Sequence, residues 1–233
     1  EKDEKDLKFF LEHGYLVVDD ALDTDEVNKI REAFNDTFKK LDNVKHIEVG
    51  LLEYDKRFLK LLDNEIVIKK IKSILGNCIQ LHSATARLCK PGEQNQIWHR
   101  DGPWPVDPAG TPFGSIPGQV NCGYYLDELN SENGAFALVP GSHKIKLDIP
   151  REDIEYPNQK YLFAKPGQAV LFSGWMYHRG MGNKSQSDRR VCLMCYQNAW
   201  IKSREDFDGP VARELKKNGS DEQKLLLGSA DKW

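Results

Sequence analysis

Apolar residues recur at helical spacing through the first third of the chain and in short or alternating runs after it. Leu7, Phe10 and Leu11 share one face of segment 6–13, which stops at Gly14, a residue able to close a helix C-terminus. Tyr15-Leu16-Val17-Val18 then reads as a short strand. The next helix has Asp23 or Thr24 as its cap and Glu26 as the acid of a capping box, with Val27, Ile30, Phe34, Phe38 and Leu41 on one face. A face that broad should pack on a sheet. A further helix is expected over 64–75, with Val67, Ile71, Ile74 and Leu75 inward and Gly76 at its end.

From Ile79 onward, runs broken by Gly, Pro, Asn and Asp predict strands over 79–89, 119–126, 136–139, 161–164, 169–172 and 190–196. Helices first and strands afterwards fit a mainly β fold with flanking helices: a double-stranded β-helix, or cupin-like jelly roll, buttressed by the N-terminal helices. The length suits one domain over 1–233, with helical support over 1–78, the jelly-roll core over 79–200 and a tail over 201–233. The tail is charged, with a helical stretch near 210–217 and an apolar Leu225-Leu226-Leu227, and reads as a surface segment that docks late. Residues 102–117 are rich in Pro and Gly and carry Trp104 and Phe113; a loop of that length in a compact domain is more often functional than idle, and it is expected to be a substrate lid.

That loop follows Trp98-His99-Arg100-Asp101, where His99 and Asp101 would point to one side of an extended segment. The best third partner is His178, beyond the apolar run 169–172. Two histidines and one carboxylate can hold Fe(II) on one face and leave positions open for substrate and O2. His-x-Asp alone is unspecific, but Arg189 adds to it. Eleven residues after His178, it opens another apolar run and can clamp a carboxylate bidentately.

The motifs His99-Arg100-Asp101, Glu132-Asn133-Gly134-Ala135, Val139-Pro140-Gly141-Ser142-His143, Pro166-Gly167, His178 and Arg189 together resemble the phytanoyl-CoA dioxygenase family of Fe(II)/2-oxoglutarate oxygenases, over most of the chain. The resemblance implies that His99, Asp101 and His178 bind iron and that Arg189 pairs with the distal carboxylate of 2-oxoglutarate. Gln96, three residues before the first histidine, stands where several relatives contact the cosubstrate. The implied reaction uses O2 to hydroxylate a C–H bond of a small-molecule metabolite and converts 2-oxoglutarate to succinate and CO2, with ascorbate as an optional reductant. Halogenation is disfavoured, because halide needs the position Asp101 would occupy.

Other residues carry weaker expectations. Trp104 is a candidate substrate contact, while Arg87, a lone charge in a small apolar strand, is either outward-facing or an anion anchor. Tyr125 belongs to the same alternative substrate wall, although Tyr124, Tyr125, Trp175 and Trp200 default to core aromatics. His13 and His46 read as surface residues in or beside helices, His82 as structural and His143 as ordering a turn. Of neighbouring Arg189 and Arg190 only one can face inward, which leaves Arg190 a solvated or supporting charge. Cys192-x-x-Cys195 lies in a predicted strand whose alternation separates the two thiols, and with the other cysteines in apolar runs the reading is reduced thiols in a cytosolic, hence cytoplasmic, protein.

A net charge of −3 with mixed signs argues against a nucleic-acid partner, and no apolar run is long enough for a membrane span. Monomer and homodimer both stay open. Two competing classes are a non-catalytic cupin-like binding module and a redox-silent metal-dependent isomerase or lyase. Neither has a role for the arginine at the head of the last strand.

Overall fold

The change of apolar period divides helices from sheet in space as well as in sequence. The computed structural model describes residues 2–101, 118–145 and 153–230, so the 102–117 loop with Trp104 and Phe113 lies outside the described residues. The N-terminal part contains α1 (Lys2–His13), β1 (Tyr15–Val18), α2 (Thr24–Lys40), β2 (His46–Ile47), two single-turn helices α3 (Leu51–Tyr54) and α4 (Leu59–Leu62), and α5 (Glu65–Leu75). The strands that follow are β3 (Ile79–Cys89), β4 (Gln119–Tyr125), β5 (Phe136–Leu138), β6 (Lys160–Leu162), β7 (Ala169–Ser173), β8 (His178–Gly180) and β9 (Arg189–Asn198). Helices α6 (Pro210–Asn218) and α7 (Asp221–Leu226) end the described chain.

Two antiparallel sheets form, ordered β1-β7-β4-β9-β3-β2 and β6-β5-β8, the jelly-roll arrangement expected. The capping box at Asp23 and Glu26 closes the start of α2, whose Val27, Ile30, Phe34 and Phe38 are buried with Ala84, Cys122, Leu171 and Met194 of the large sheet in one apolar core. Tyr124 and Tyr196, on adjacent strands, both donate hydroxyl hydrogen bonds to the Leu61 carbonyl and so tie sheet to helices. The opposite face of the same strands lines a cavity of about 680 Å³.

Strands β2 and β8 were not foreseen, because two or three residues are too few to show a period. His46 therefore sits on an edge strand paired with Arg87, not beside a helix. Trp200 is 64% exposed rather than a core aromatic, since it follows the end of β9. Leu225, Leu226 and Leu227 are buried: α7 is capped by Ser220 and packs its apolar side beside β3, so the tail is part of the core and not a loose surface segment. Among the described residues, no helix is long and apolar enough to cross a membrane.

Candidate active site

The segment carrying His99 and Asp101 is extended because it zips against β8 and the turn before it. Gln96 N–H donates to the Gly180 carbonyl (2.9 Å), His99 and His178 exchange two backbone hydrogen bonds (3.1 Å each), and Asp101 N–H donates to Gly174 (2.8 Å). Alternation then sorts the side chains. Trp98, Arg100, Tyr177 and Arg179 take the outer face, where the Arg179 guanidinium lies 4.6 Å from the Trp98 ring and that of Arg100 4.0 Å from Tyr177. His99, Asp101, His178 and Gly180 take the inner face, toward the cavity.

The metal-ligating atoms of His99, Asp101 and His178 all lie within 4.8 Å of one another. His178 Nε2 is 3.2 Å and His99 Nε2 3.6 Å from the Asp101 carboxylate. Each imidazole places Nδ1 2.9 Å from the carbonyl two residues earlier, Ile97 or Met176. Those contacts place a proton on each Nδ1 and leave both Nε2 atoms turned toward the carboxylate, the positions a metal would take. Phe172 and Phe136 pack on the His178 ring at centroid distances of 4.7 and 5.5 Å and fix its plane.

Charge follows from this packing. Burial, reinforced by His178, pushes His99 down to about 4, so it is neutral at pH 7. Desolvation works to raise the Asp101 carboxyl, but the two imidazoles overcome it and hold it at about 2. Burial opposes a proton on His178, while the adjacent Asp101 carboxylate more than offsets burial and raises its affinity for one. A cation bound there would displace that proton. The third contact to Asp101 was not read from the sequence: Asn121 Nδ2 donates to its Oδ2 at 2.7 Å, and Gln119 Nε2 donates to Asn121 at 3.3 Å. Two amides at alternate positions of the wholly buried β4 were the available signal.

Arg189 opens β9 on the cavity side and is 4% exposed. Its Nε has no hydrogen-bond partner, and its guanidinium meets no carboxylate among the described residues. Two glycines border it: a Cβ at Gly180 would stand 3.5 Å from its Nη2, an ordinary contact, but 2.7 Å from Gln96 Oε1, and one at Gly134 would meet Met181 O at 2.7 Å. Gln96 also lines the cavity, with its amide oxygen fixed by Gly180 N–H at 2.7 Å. Arg190 faces the other way, ion-paired to Asp127 at 3.1 Å and bonded to Asn35 of α2.

Tyr125 and Arg87 line the same cavity, so the structure brings both to the site. Burial raises the Tyr125 phenol to about 12, against the pull of Arg189. Arg87 lies 3.6 Å from Glu93. His82, expected to be structural, faces the cavity at a β-bulge in β3 while approaching Ser83 Oγ at 3.2 Å. His143 holds the Leu11 carbonyl at 3.2 Å, away from the cavity. Cys195 lines the cavity and Cys192 the helix-side core, as strand alternation separates them. Trp104 lies outside the described residues.

The family model for phytanoyl-CoA dioxygenase (PhyH) matches residues 10–191. Dioxygenase af480 of Aspergillus fumigatus is 27% identical over 182 residues, covering 76% of this chain and 56% of that protein. A probable alpha-ketoglutarate-dependent hypophosphite dioxygenase of Stutzerimonas stutzeri is 26% identical, covering 59% of this chain and 52% of its own length. The chain thus spans a little over half the length of these relatives. Its fold matches HygX from Streptomyces hygroscopicus, solved with nickel and 2-oxoglutarate bound, with a TM-score of 0.75 and 17% identity, over 86% of this chain and 89% of HygX.

Proposed function

The chain belongs to the phytanoyl-CoA dioxygenase family, and from that premise we propose that it is an Fe(II)- and 2-oxoglutarate-dependent dioxygenase that hydroxylates a C–H bond of a small-molecule metabolite. The observation that carries this reading is the coexistence, in one cavity, of the His99, Asp101 and His178 cluster with the buried Arg189, which has no ion pair among the described residues. The donor set fits iron: two neutral nitrogens and one carboxylate leave several positions free on a six-coordinate ion. The orphaned guanidinium fits the far carboxylate of 2-oxoglutarate, since burying a guanidinium without a counter-charge is costly and a cosubstrate carboxylate supplies one. Iron, 2-oxoglutarate and O2 together would supply the oxidising power for C–H hydroxylation, with succinate and CO2 as coproducts.

The chain's own residues bind and orient. His99, Asp101 and His178 would hold the metal, Asn121 fixes the Asp101 carboxylate, and the Nδ1 contacts fix both rings. Arg189 would anchor the cosubstrate, with Gln96 and Tyr125 beside it. HygX was solved with 2-oxoglutarate bound, and the Stutzerimonas relative is described as probably alpha-ketoglutarate-dependent, and both support the assignment. An isomerase or lyase would use the same three ligands but would leave Arg189 without a counter-charge.

Succinate formation from 2-oxoglutarate, with Fe(II), O2 and ascorbate, tests the proposal directly, because such enzymes turn over slowly without their prime substrate. Turnover that stops on chelation and returns with Fe(II) but not Zn(II) is the expected result. Protein that binds metal yet neither binds nor consumes 2-oxoglutarate would overturn it. The lid role of 102–117 and the Trp104 substrate contact belong to this proposal too; Trp104→Ala should lower the share of 2-oxoglutarate turnover that ends in hydroxylated product.

A further inference from the structure

The cavity holds further cations besides Arg189. Arg87 of β3, Lys202 and Arg204 line it together with the imidazoles of His46 and His82, while Asp101 is the single carboxylate among the described lining residues. The bulge at His82 positions Lys202 and Arg204. The bulge frees the His82 carbonyl from the sheet ladder, and it accepts from Arg204 N–H (3.1 Å) and Glu205 N–H (3.2 Å) instead. Ser203 Oγ donates to the Leu81 carbonyl at 2.8 Å, and Gln80 and Gln197 both donate to Ile201 O at 2.6 Å. Five hydrogen bonds thus hold a segment without regular structure against the sheet, with Lys202 and Arg204 at the cavity rim.

These cations are weakly compensated. Arg204 pairs with Glu48 in an exposed contact, Arg87 approaches Glu93 only to 3.6 Å, and Glu93 is shared with Lys45 at 3.3 Å. Lys202 makes no ion pair among the described residues. Glu205 is turned away, accepting from Ala84 N–H at 3.0 Å. Four cations, Lys45, Arg87, Lys202 and Arg204, therefore face two carboxylates, Glu48 and Glu93. Burial lowers His46 and His82, so they add hydrogen-bonding capacity and not charge.

We propose that the substrate of this enzyme is an organic anion whose carboxylate or phosphoryl group is held by Arg87, Lys202 and Arg204 on the cavity wall formed by β3 and the 201–205 segment. The inference rests on the oxygenase reading for the identity of the reacting end, but the anion site stands on its own residues. A head group anchored there would leave its carbon chain in the cavity that Val191, Leu193 and Phe172 line together with His99 and His178. Cations at the rim would also draw an anion in and would do so less as ionic strength rises.

The test uses one six-carbon chain with four head groups: hexanoate, hexyl phosphate, 1-hexanol and hexylamine, titrated calorimetrically into metal-free protein. It is run in wild type and in Arg189→Ala, so that Arg189 cannot supply the anion site. At least one anion should bind about tenfold or more tightly than the alcohol and the amine in both proteins, the scale of one charge-assisted hydrogen bond. Whichever anion binds better identifies carboxylate or phosphoryl recognition. The preference should vanish in the triple variant Arg87→Gln/Lys202→Gln/Arg204→Gln. Lys202→Glu, which loses no ion pair, must weaken anion binding in the same direction, so the test survives an unstable triple variant. Equal binding of 1-hexanol or hexylamine, or an anion preference untouched by these substitutions, overturns the proposal. Failure of wild type to bind 2-oxoglutarate with Ni(II) would instead overturn the oxygenase reading and leave the anion arm to be judged separately.

Discussion

On β9 the odd positions Arg189, Val191, Leu193 and Cys195 face the cavity, while Cys192, Met194 and Tyr196 face the helices. The neighbouring β4 repeats the pattern, with Gln119 and Tyr125 on the cavity and Val120, Cys122 and Tyr124 in the helix-side core. The helix face is close-packed and apolar, with its tyrosine hydroxyls satisfied at Leu61. The cavity face keeps a guanidinium, two linked amides and a cluster that could hold a metal, and among the described residues Arg189 Nε and Gln119 Oε1 lack partners there. A sheet optimised for stability alone would not bury such groups, so their cost marks the face selected for chemistry. Substitutions on the two faces should separate function from stability.

The largest effect on turnover is expected from Asp101→Ala, which removes one of the three proposed metal ligands and the only carboxylate of the cluster. Coupled hydroxylation should fall below detection and iron should dissociate on dialysis; retention of a sizeable fraction of activity would mean the metal sits elsewhere. Next comes Arg189→Ala. Losing a buried charge-assisted clamp costs about 2–4 kcal/mol, roughly thirty- to a thousandfold in apparent KM for 2-oxoglutarate. Arg190→Ala, one residue along on the helix side, should leave that KM within about threefold, and Arg189→Lys should rescue only partly because it lacks the planar fork. Equal effects from the two arginines would break the comparison.

Asn121→Ala should act more mildly, weakening metal affinity about ten- to a hundredfold by freeing the Asp101 carboxylate. Metal titration followed by tryptophan fluorescence or calorimetry would measure it. The smallest effect on catalysis belongs to Met194→Ala, fully buried on the helix face. It should cost about 2–5 kcal/mol in stability, visible as a fall in Tm, while KM for 2-oxoglutarate stays unchanged. A shifted KM at full folding would show that the two faces are coupled through the strand.

Much of this molecule was legible in one dimension wherever a local rule operates. The helix face of α2 follows from a four-residue apolar repeat, the capping box from Asp23 and Glu26, and the opposed fates of Arg189 and Arg190 from the two-residue period of a strand. His99 and Asp101 share a side for that same reason. The sequence alone also carries the family motifs, because their spacing is itself local. Tertiary structure decided what depends on partners distant in the chain. The bulge at His82, the three-residue β8, the hydrogen bond from Asn121 to Asp101 and the docking of 201–205 each join residues at least 20 positions apart or lie in runs too short to show a period. The tail read as a surface segment for this reason: its charges suggested solvent, and only the carbonyl freed at His82 explains why Lys202 and Arg204 stand at the cavity rim. Local periodicity specifies which way a side chain points; which wall it then meets depends on how the sheets close.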